Sequence, residues 1–276
     1  MTTEGSRAAS LEARSARIEV RPCRGLEEFQ ACVEVQKRVW GGADVDVVPL
    51  PLYVVAAETG GQVLGAFAGV PEAGNLVGFT LALAGTHQGK AFFHSHMTAV
   101  LEGYRDRGIG RQLKLLQRQD ALARGIELVE WTFDPLEVKN AYFNLVRLGA
   151  IVRRFLPNCY GITTSPLHGG MPTDRLMAEW WLRSPRVEKI LGEASQSSRG
   201  AQHTVPSPQK SDGTLVRIHV PGGIDDIRQK DRSRALRVQR EVREQFQSWL
   251  GRGYAATAVE RTAEGSNYLL DPWRED

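Results

Sequence analysis

The sequence predicts an α+β protein in which strands and helices interleave along the chain. The hydrophobic period switches repeatedly between two and about 3.6 residues. Gly and Pro punctuate most of those switches. With 276 residues, 42% of them hydrophobic, there is material for one large domain or for a domain with a smaller partner.

Residues 1–15 are rich in Ser, Ala, Glu and Arg and read as a disordered leader. Ile18 and Val20 alternate in a strand. Leu26, Phe29, Val33, Val35 and Val39 follow at near-helical spacing, closed by Trp40-Gly41-Gly42. Pro49 and Pro51 open a short helix. Three strands come next, at 62–70, 75–84 and 90–100, separated by Pro71–Gly74 and His87–Gly89. The period then becomes helical over 105–124, with Ile109, Leu113, Leu116 and Ala123 on one face and Gly125 as terminator. A strand (127–133), a helix (136–148) stopped by Gly149, and two strands (151–160 and 175–182) follow. From 194 to 213 the composition turns to Ser, Gln, Gly and Pro, as in a linker or loop. A strand (215–220), a long helix (224–250) and a hairpin (254–261 and 267–270) complete the chain. The expected organisation is a leader at 1–15, a main domain at 16–193, a linker at 194–213 and a smaller C-terminal α+β region at 214–276.

Bulk chemistry narrows the functional classes. Net charge is +3, from 35 basic and 32 acidic residues, so charge alone argues for neither a nucleic-acid partner nor a membrane. The basic residues of 224–250 alternate with acidic ones beside Ala235, Val242, Phe246 and Trp249, which suits a solvated amphipathic helix that covers an acceptor site or makes a homodimer contact. Cys23, Cys32 and Cys159 form no C-x-x-C pair and no metal-ligand spacing, so buried thiols in a reducing compartment are expected. No apolar run reaches the roughly 20 residues of a membrane span, and Met1–Arg17 lacks an apolar core, so the expected compartment is the cytoplasm.

The chemically informative stretch runs from His94 to Arg111. A strand enters the loop Arg105-Asp-Arg-Gly108-Ile-Gly110, and an amphipathic helix leaves it. The start of a helix carries unpaired N–H groups and partial positive charge. Glycines at 108 and 110 let a phosphate approach bare backbone, and Arg105, Arg107 and Arg111 add positive charge. The Gly-Lys-Ser/Thr of a nucleotide-binding P-loop is absent, and R-x-x-G-x-G at mid-chain is not the early G-x-G-x-x-G of a dinucleotide fold.

Val100 through Gly110 resembles the acyl-CoA signature of the GNAT superfamily, and Asn140–Gly149 resembles that family's later helix ending in Leu-Gly. The resemblance covers roughly 16–183. It implies a mixed, twisted sheet flanked by helices, splayed after the strand that ends at Val100. Pantetheine would then pair with that strand near Thr98 to Val100. Amides from Arg107 through Gly108, Ile109 and Gly110 to Arg111 would hold the pyrophosphate, with Arg105 beside them. Asn140 and Asn144 are both candidates for the family's pantetheine-contacting Asn. Trp131–Pro135, Pro172–Arg175 and His94–His96 resemble a subgroup with a C-terminal extension, some of whose members are amino-acid N-acyltransferases and N-succinyltransferases. One position departs from the pattern: Leu145 stands where many members have a Tyr that protonates the leaving thiolate, and Tyr142 lies nearly a turn away.

The resemblance implies transfer from acetyl-CoA or succinyl-CoA directly to the primary amine of a small acceptor such as an amino acid. Such a reaction needs a base, and His94 and His96 suit one at neutral pH. Alternation places both on one strand face with Thr98. Glu130 is the carboxylate candidate, acting through water; Asp134, ahead of Pro135, reads as a helix N-cap. Arg153, Arg175 and Tyr160 are the candidate acceptor contacts, the guanidinium groups matching a carboxylate. The alternative, kept open by Leu145, is a non-catalytic acyl-CoA-binding regulatory module.

Overall fold

The computed structural model describes residues 16–41, 43–165, 169–196 and 215–273. The leader expected at 1–15 lies outside the described residues, as does the expected linker from 197 onward. The protein is α+β, and its described residues fall into two compact units divided between Ile126 and Glu127.

The first unit contains β1 (Ile18–Pro22), α1 (Gly25–Trp40), α2 (Leu50–Glu58), β2 (Gln62–Ala68), β3 (Leu76–His87), β4 (Lys90–Val100) and α3 (Ile109–Ala123). Its strands lie in the order β1-β2-β3-β4, each antiparallel to the next. Helices α1 and α2 cover one face, packing Phe29, Cys32, Val33 and Tyr53 onto Phe67, Phe79 and Leu81. Helix α3 covers the other, with Ile109 and Leu113 against Leu64, Ala66 and Val77. The start of α3 is later than the helical period suggests. Gly108 sits in the left-handed region at φ 74, which breaks the helix before Ile109. The buried positions also differ: Ala123 is exposed, while Lys114 and Gln117 join Ile109, Leu113 and Ala121 inside.

The second unit contains β5 (Leu128–Phe133), α4 (Val138–Tyr142), β6 (Ile151–Leu156), β7 (Arg175–Trp181), α5 (Pro185–Gln196), β8 (Val216–Pro221), α6 (Ile224–Lys230), α7 (Arg232–Leu250), β9 (Tyr254–Arg261) and β10 (Gly265–Pro272). Its strand order is β5-β7-β6-β9-β10-β8. The C-terminal strands continue the same sheet, since Val152 on β6 pairs with Ala256 on β9. The expected helix at 136–148 is a short α4 running into a π-helical turn at Phe143–Arg147. The expected helix at 224–250 is two helices. Asp231 leaves helical geometry at φ −145 and accepts the Arg234 amide at 2.9 Å, capping α7 and thereby ending α6. Cys23 and Cys32 are buried with their sulfurs 3.8 Å apart, but Cys159 is exposed in the turn after β6. Among the described residues no helix is long and apolar enough to cross a membrane.

Candidate active site

In the first unit the chain leaves β4 at Val100, turns through Glu102–Tyr104, and reaches α3 by two left-handed residues, Asp106 at φ 60 and Gly108 at φ 74. The first bond closing α3 is the Gln112 amide to the Gly108 carbonyl at 3.0 Å. The amides of Ile109, Gly110 and Arg111 precede it and have no acceptor within the helix. No side chain caps this end. A Cβ at Gly108 or Gly110 would meet nothing within 4 Å, so the space above those backbone atoms is open. Arg105 is exposed, its Nε donating to the Val100 carbonyl at 3.3 Å. Arg107 lies over the Tyr104 ring at 5.1 Å and donates to the Ala16 carbonyl at 3.5 Å. Arg111 is half-buried on the first turn of α3. Together these residues fit a pyrophosphate: a helix start with no side-chain cap, open glycine backbone and an exposed guanidinium.

The β4 candidates are arranged differently from simple alternation. His94 pairs with Leu83 and Met97 with Leu81, whereas Ser95 pairs with Ala82 and Thr98 with Thr80. His96 is therefore an extra residue on β4, a β-bulge. Residues paired across a ladder share a face, so the bulge turns Thr98 away from the His94 side. Thr98 faces α3 with Ser95, its hydroxyl 3.0 Å from that of Thr80. The His94 and His96 rings stay together, centroids 6.2 Å apart. Burial pulls the His96 imidazole below its ordinary value, so it is neutral at pH 7.

Lys114 carries a signal that pattern reading missed. It lies on the buried face of α3 and donates to the Ser95 hydroxyl at 2.9 Å and to Gln117 Oε1 at 3.0 Å. Burial depresses its ammonium to about 7. The available clue was its position: Lys114 and Gln117 are three residues apart on the stripe that also contains Ile109, Leu113 and Ala121.

In the second unit one sheet face gathers most of the remaining candidates. Glu130 on β5 is directly opposite Glu179 on β7, and both are buried. Arg154 pairs with Glu130, and Arg153 donates to Glu179 at 2.7 Å. A bulge between Val152 and Arg154 lets two consecutive arginines reach the same face. Glu130 is thus held as one half of an ion pair. Further along that face the Thr132 and Tyr160 hydroxyls are 2.8 Å apart, and the Arg175 guanidinium lies 5.6 Å from the Tyr160 ring centre. Arg175 and Tyr160 therefore adjoin, while Arg153 belongs to the carboxylate cluster.

Asp134 is not a helix N-cap, because α4 begins only at Val138. Its Oδ1 accepts the Leu136 amide at 2.8 Å and its Oδ2 accepts from Arg228 at 2.6 Å. Of the two asparagines, Asn140 is exposed and Asn144 is 1% exposed in the π-helical turn. Asn144 Nδ2 is buried with no hydrogen-bond partner among the described residues. Leu145 is fully buried, and Tyr142 packs toward Val146, Ala258 and Leu269.

No family model matches the chain, and no curated protein matches it. Among solved structures it is similar to Arabidopsis thaliana NAA60 in complex with acetyl-CoA, at 13% identity over 60% of this chain and 99% of that one, with a TM-score of 0.49. It is also similar to the ribosomal-protein-S18-alanine N-acetyltransferase of Escherichia coli, at 12% identity over 61% and 96%, with a TM-score of 0.47. A third similar structure is Ard1 from Thermoplasma volcanium, at 13% identity over 59% and 95%, with a TM-score of 0.44.

Proposed function

We propose that the protein is an acyl-CoA-dependent N-acyltransferase that passes an acetyl or succinyl group directly to the primary amine of a small acceptor. The observation that carries this reading is the uncapped start of α3, with open glycine backbone at 108 and 110 and Arg105 beside it. In this reading the amides of Ile109, Gly110 and Arg111 hold the pyrophosphate of the donor, and β4 near Thr98 and Val100 lines its pantetheine arm. In the second unit the unmatched amide favours Asn144, rather than exposed Asn140, as a donor for a ligand.

The acceptor nitrogen attacks the thioester carbonyl. The C–N bond forms, the C–S bond breaks, and the thiolate departs with the electron pair. His96 takes the proton from the amine, a role favoured by its neutral form. Glu130 is the weaker base candidate because Arg154 holds it. Buried Leu145 offers no acid, so water protonates the thiolate. Tyr160 and Arg175 adjoin within the second unit, and Arg175 suits a carboxylate-bearing ligand such as an amino acid.

A second reading, a non-catalytic acyl-CoA sensor, is favoured by the burial of Leu145 and the packing of Tyr142 away among apolar residues. Thiol release separates the two. The purified chain is crossed with acetyl-CoA or succinyl-CoA and a panel of amino acids and amines. Turnover with an amine supports the transferase; CoA binding without turnover across the panel supports the sensor.

A further inference from the structure

We propose that Lys114 is a positioning residue: through Ser95 it pins β4 at the residue before the His96 bulge, and so fixes the reacting strand against the helix that holds the donor's phosphates. This rests on the acyl-CoA reading above.

Lys114 and Ser95 are each 3% exposed. The Lys114 ammonium donates to Ser95 Oγ on β4 at 2.9 Å and to Gln117 Oε1 at 3.0 Å. Gln117 Nε2 donates to Gln62 Oε1 on β2 at 3.1 Å, and Gln62 Nε2 donates to Asp120 Oδ2 at 2.6 Å. Asp120 in turn accepts from Arg124 at 2.9 Å. One polar chain therefore runs from β4 through the buried face of α3 to β2.

Burying an ammonium is costly, and Met or Leu would fill this volume without that cost. Apolar packing, however, sets only the spacing between helix and sheet. A hydrogen bond selects one atom on one residue. That selection matters at Ser95. A bulge is an extra residue in a ladder, and moving it by one position along β4 would exchange the faces of the side chains between the two positions. With Ser95 tied to Lys114 and paired with Ala82, the extra residue is held at His96. The other end of the link is α3 itself. Lys114 lies in the second turn of α3, so the same helix that carries the amides of Ile109 to Arg111 sets the register of the strand that carries His96.

The test uses Lys114→Met, Ser95→Ala and the double variant of the full chain. Acetyl-CoA affinity is measured by calorimetry and kcat by thiol release. We expect acetyl-CoA Kd within about twofold of wild type, with kcat reduced about 10- to 100-fold by misplacement of the base. The double variant should lose no more than the worse single one, because both break the same link. A Lys114→Met protein with wild-type kcat overturns the proposal. So do single losses that multiply in the double variant, or a loss of acetyl-CoA affinity that matches the loss of kcat. A wild-type chain that fails to bind acetyl-CoA, or binds it without turnover, overturns the transferase reading and this proposal with it.

Discussion

Arg243 on α7 holds the Asp174 carboxylate through two hydrogen bonds of 2.8 Å, and Asp174 immediately precedes Arg175. The same carboxylate accepts the Asn158 amide at 3.0 Å, and the Tyr160 amide donates to Thr173 Oγ1 at 2.9 Å. Within the second unit, the C-terminal helices thus clasp the turns that present Tyr160 and Arg175. Arg228 on α6 does the same for Asp134.

Arg243→Ala leaves the Asp174 carboxylate, whose side chain is 0% exposed, without its guanidinium. Removing one partner of a buried pair costs about 3–5 kcal/mol. Arg243 is itself 30% exposed, so we expect a loss toward the lower end. Chemical denaturation should show a lower midpoint, and Asp174→Asn with Arg243→Ala should recover part of it.

Lys114 links stability to pH. Its folded value of about 7 lies below the ordinary 10.5. Below pH 7 the folded protein carries the full cost of a buried charge. Between about 7 and 10.5 the unfolded chain binds more protons, so stability rises with pH across that window. The ammonium donates to Ser95 and Gln117, and Gln117 leads through Gln62 to Asp120. Lys114→Met should therefore be more stable than wild type near pH 6, by on the order of a few kcal/mol, with the advantage shrinking toward pH 10. Parallel denaturation curves at the two pH values provide the check.

His96→Asn should lower kcat by about 100-fold or more, the usual contribution of a general base, while acetyl-CoA affinity holds. In the wild type, kcat/KM should fall as pH drops through a value below 6.5, since burial lowers the His96 imidazole and protonation removes the base. An unshifted or absent acid limb would assign the proton to another group.

Asn144→Leu removes a buried donor that has no partner among the described residues. An unsatisfied buried group costs about 1–3 kcal/mol, so the variant should be at least as stable as wild type. It should also bind acetyl-CoA more weakly, because that donor is then lost. Greater stability with unchanged affinity would remove Asn144 from the cofactor contacts.

What the sequence made legible follows a physical pattern. The strands from Gln62 to Val100 were readable because alternation, Pro71 and the His87–Gly89 turn are all local signals. The α3 loop was readable because glycine spacing and charge are local as well. The His96 bulge was not, since register belongs to the pair of strands: only the partner residues Leu81 and Ala82 on β3 reveal it. Arg228 and Arg243 looked like a solvated face because their carboxylates, Asp134 and Asp174, lie 94 and 69 residues away. The break at Asp231 was masked by strong helix formers on both sides of a single capping residue. The pairing of Arg153 and Arg154 with Glu179 and Glu130 likewise needed a bulge that no local pattern announces.

The most direct test of the account is calorimetric titration of acetyl-CoA into the wild-type chain and into Gly110→Glu. A Cβ at 110 meets nothing within 4 Å, so the variant should fold as wild type does. Its carboxylate would then stand before the amides of Ile109, Gly110 and Arg111. The account predicts saturable binding to wild type and a loss of at least about tenfold in the variant, from like-charge repulsion of the pyrophosphate. Equal affinity in the two proteins would contradict the placement of the donor on the start of α3.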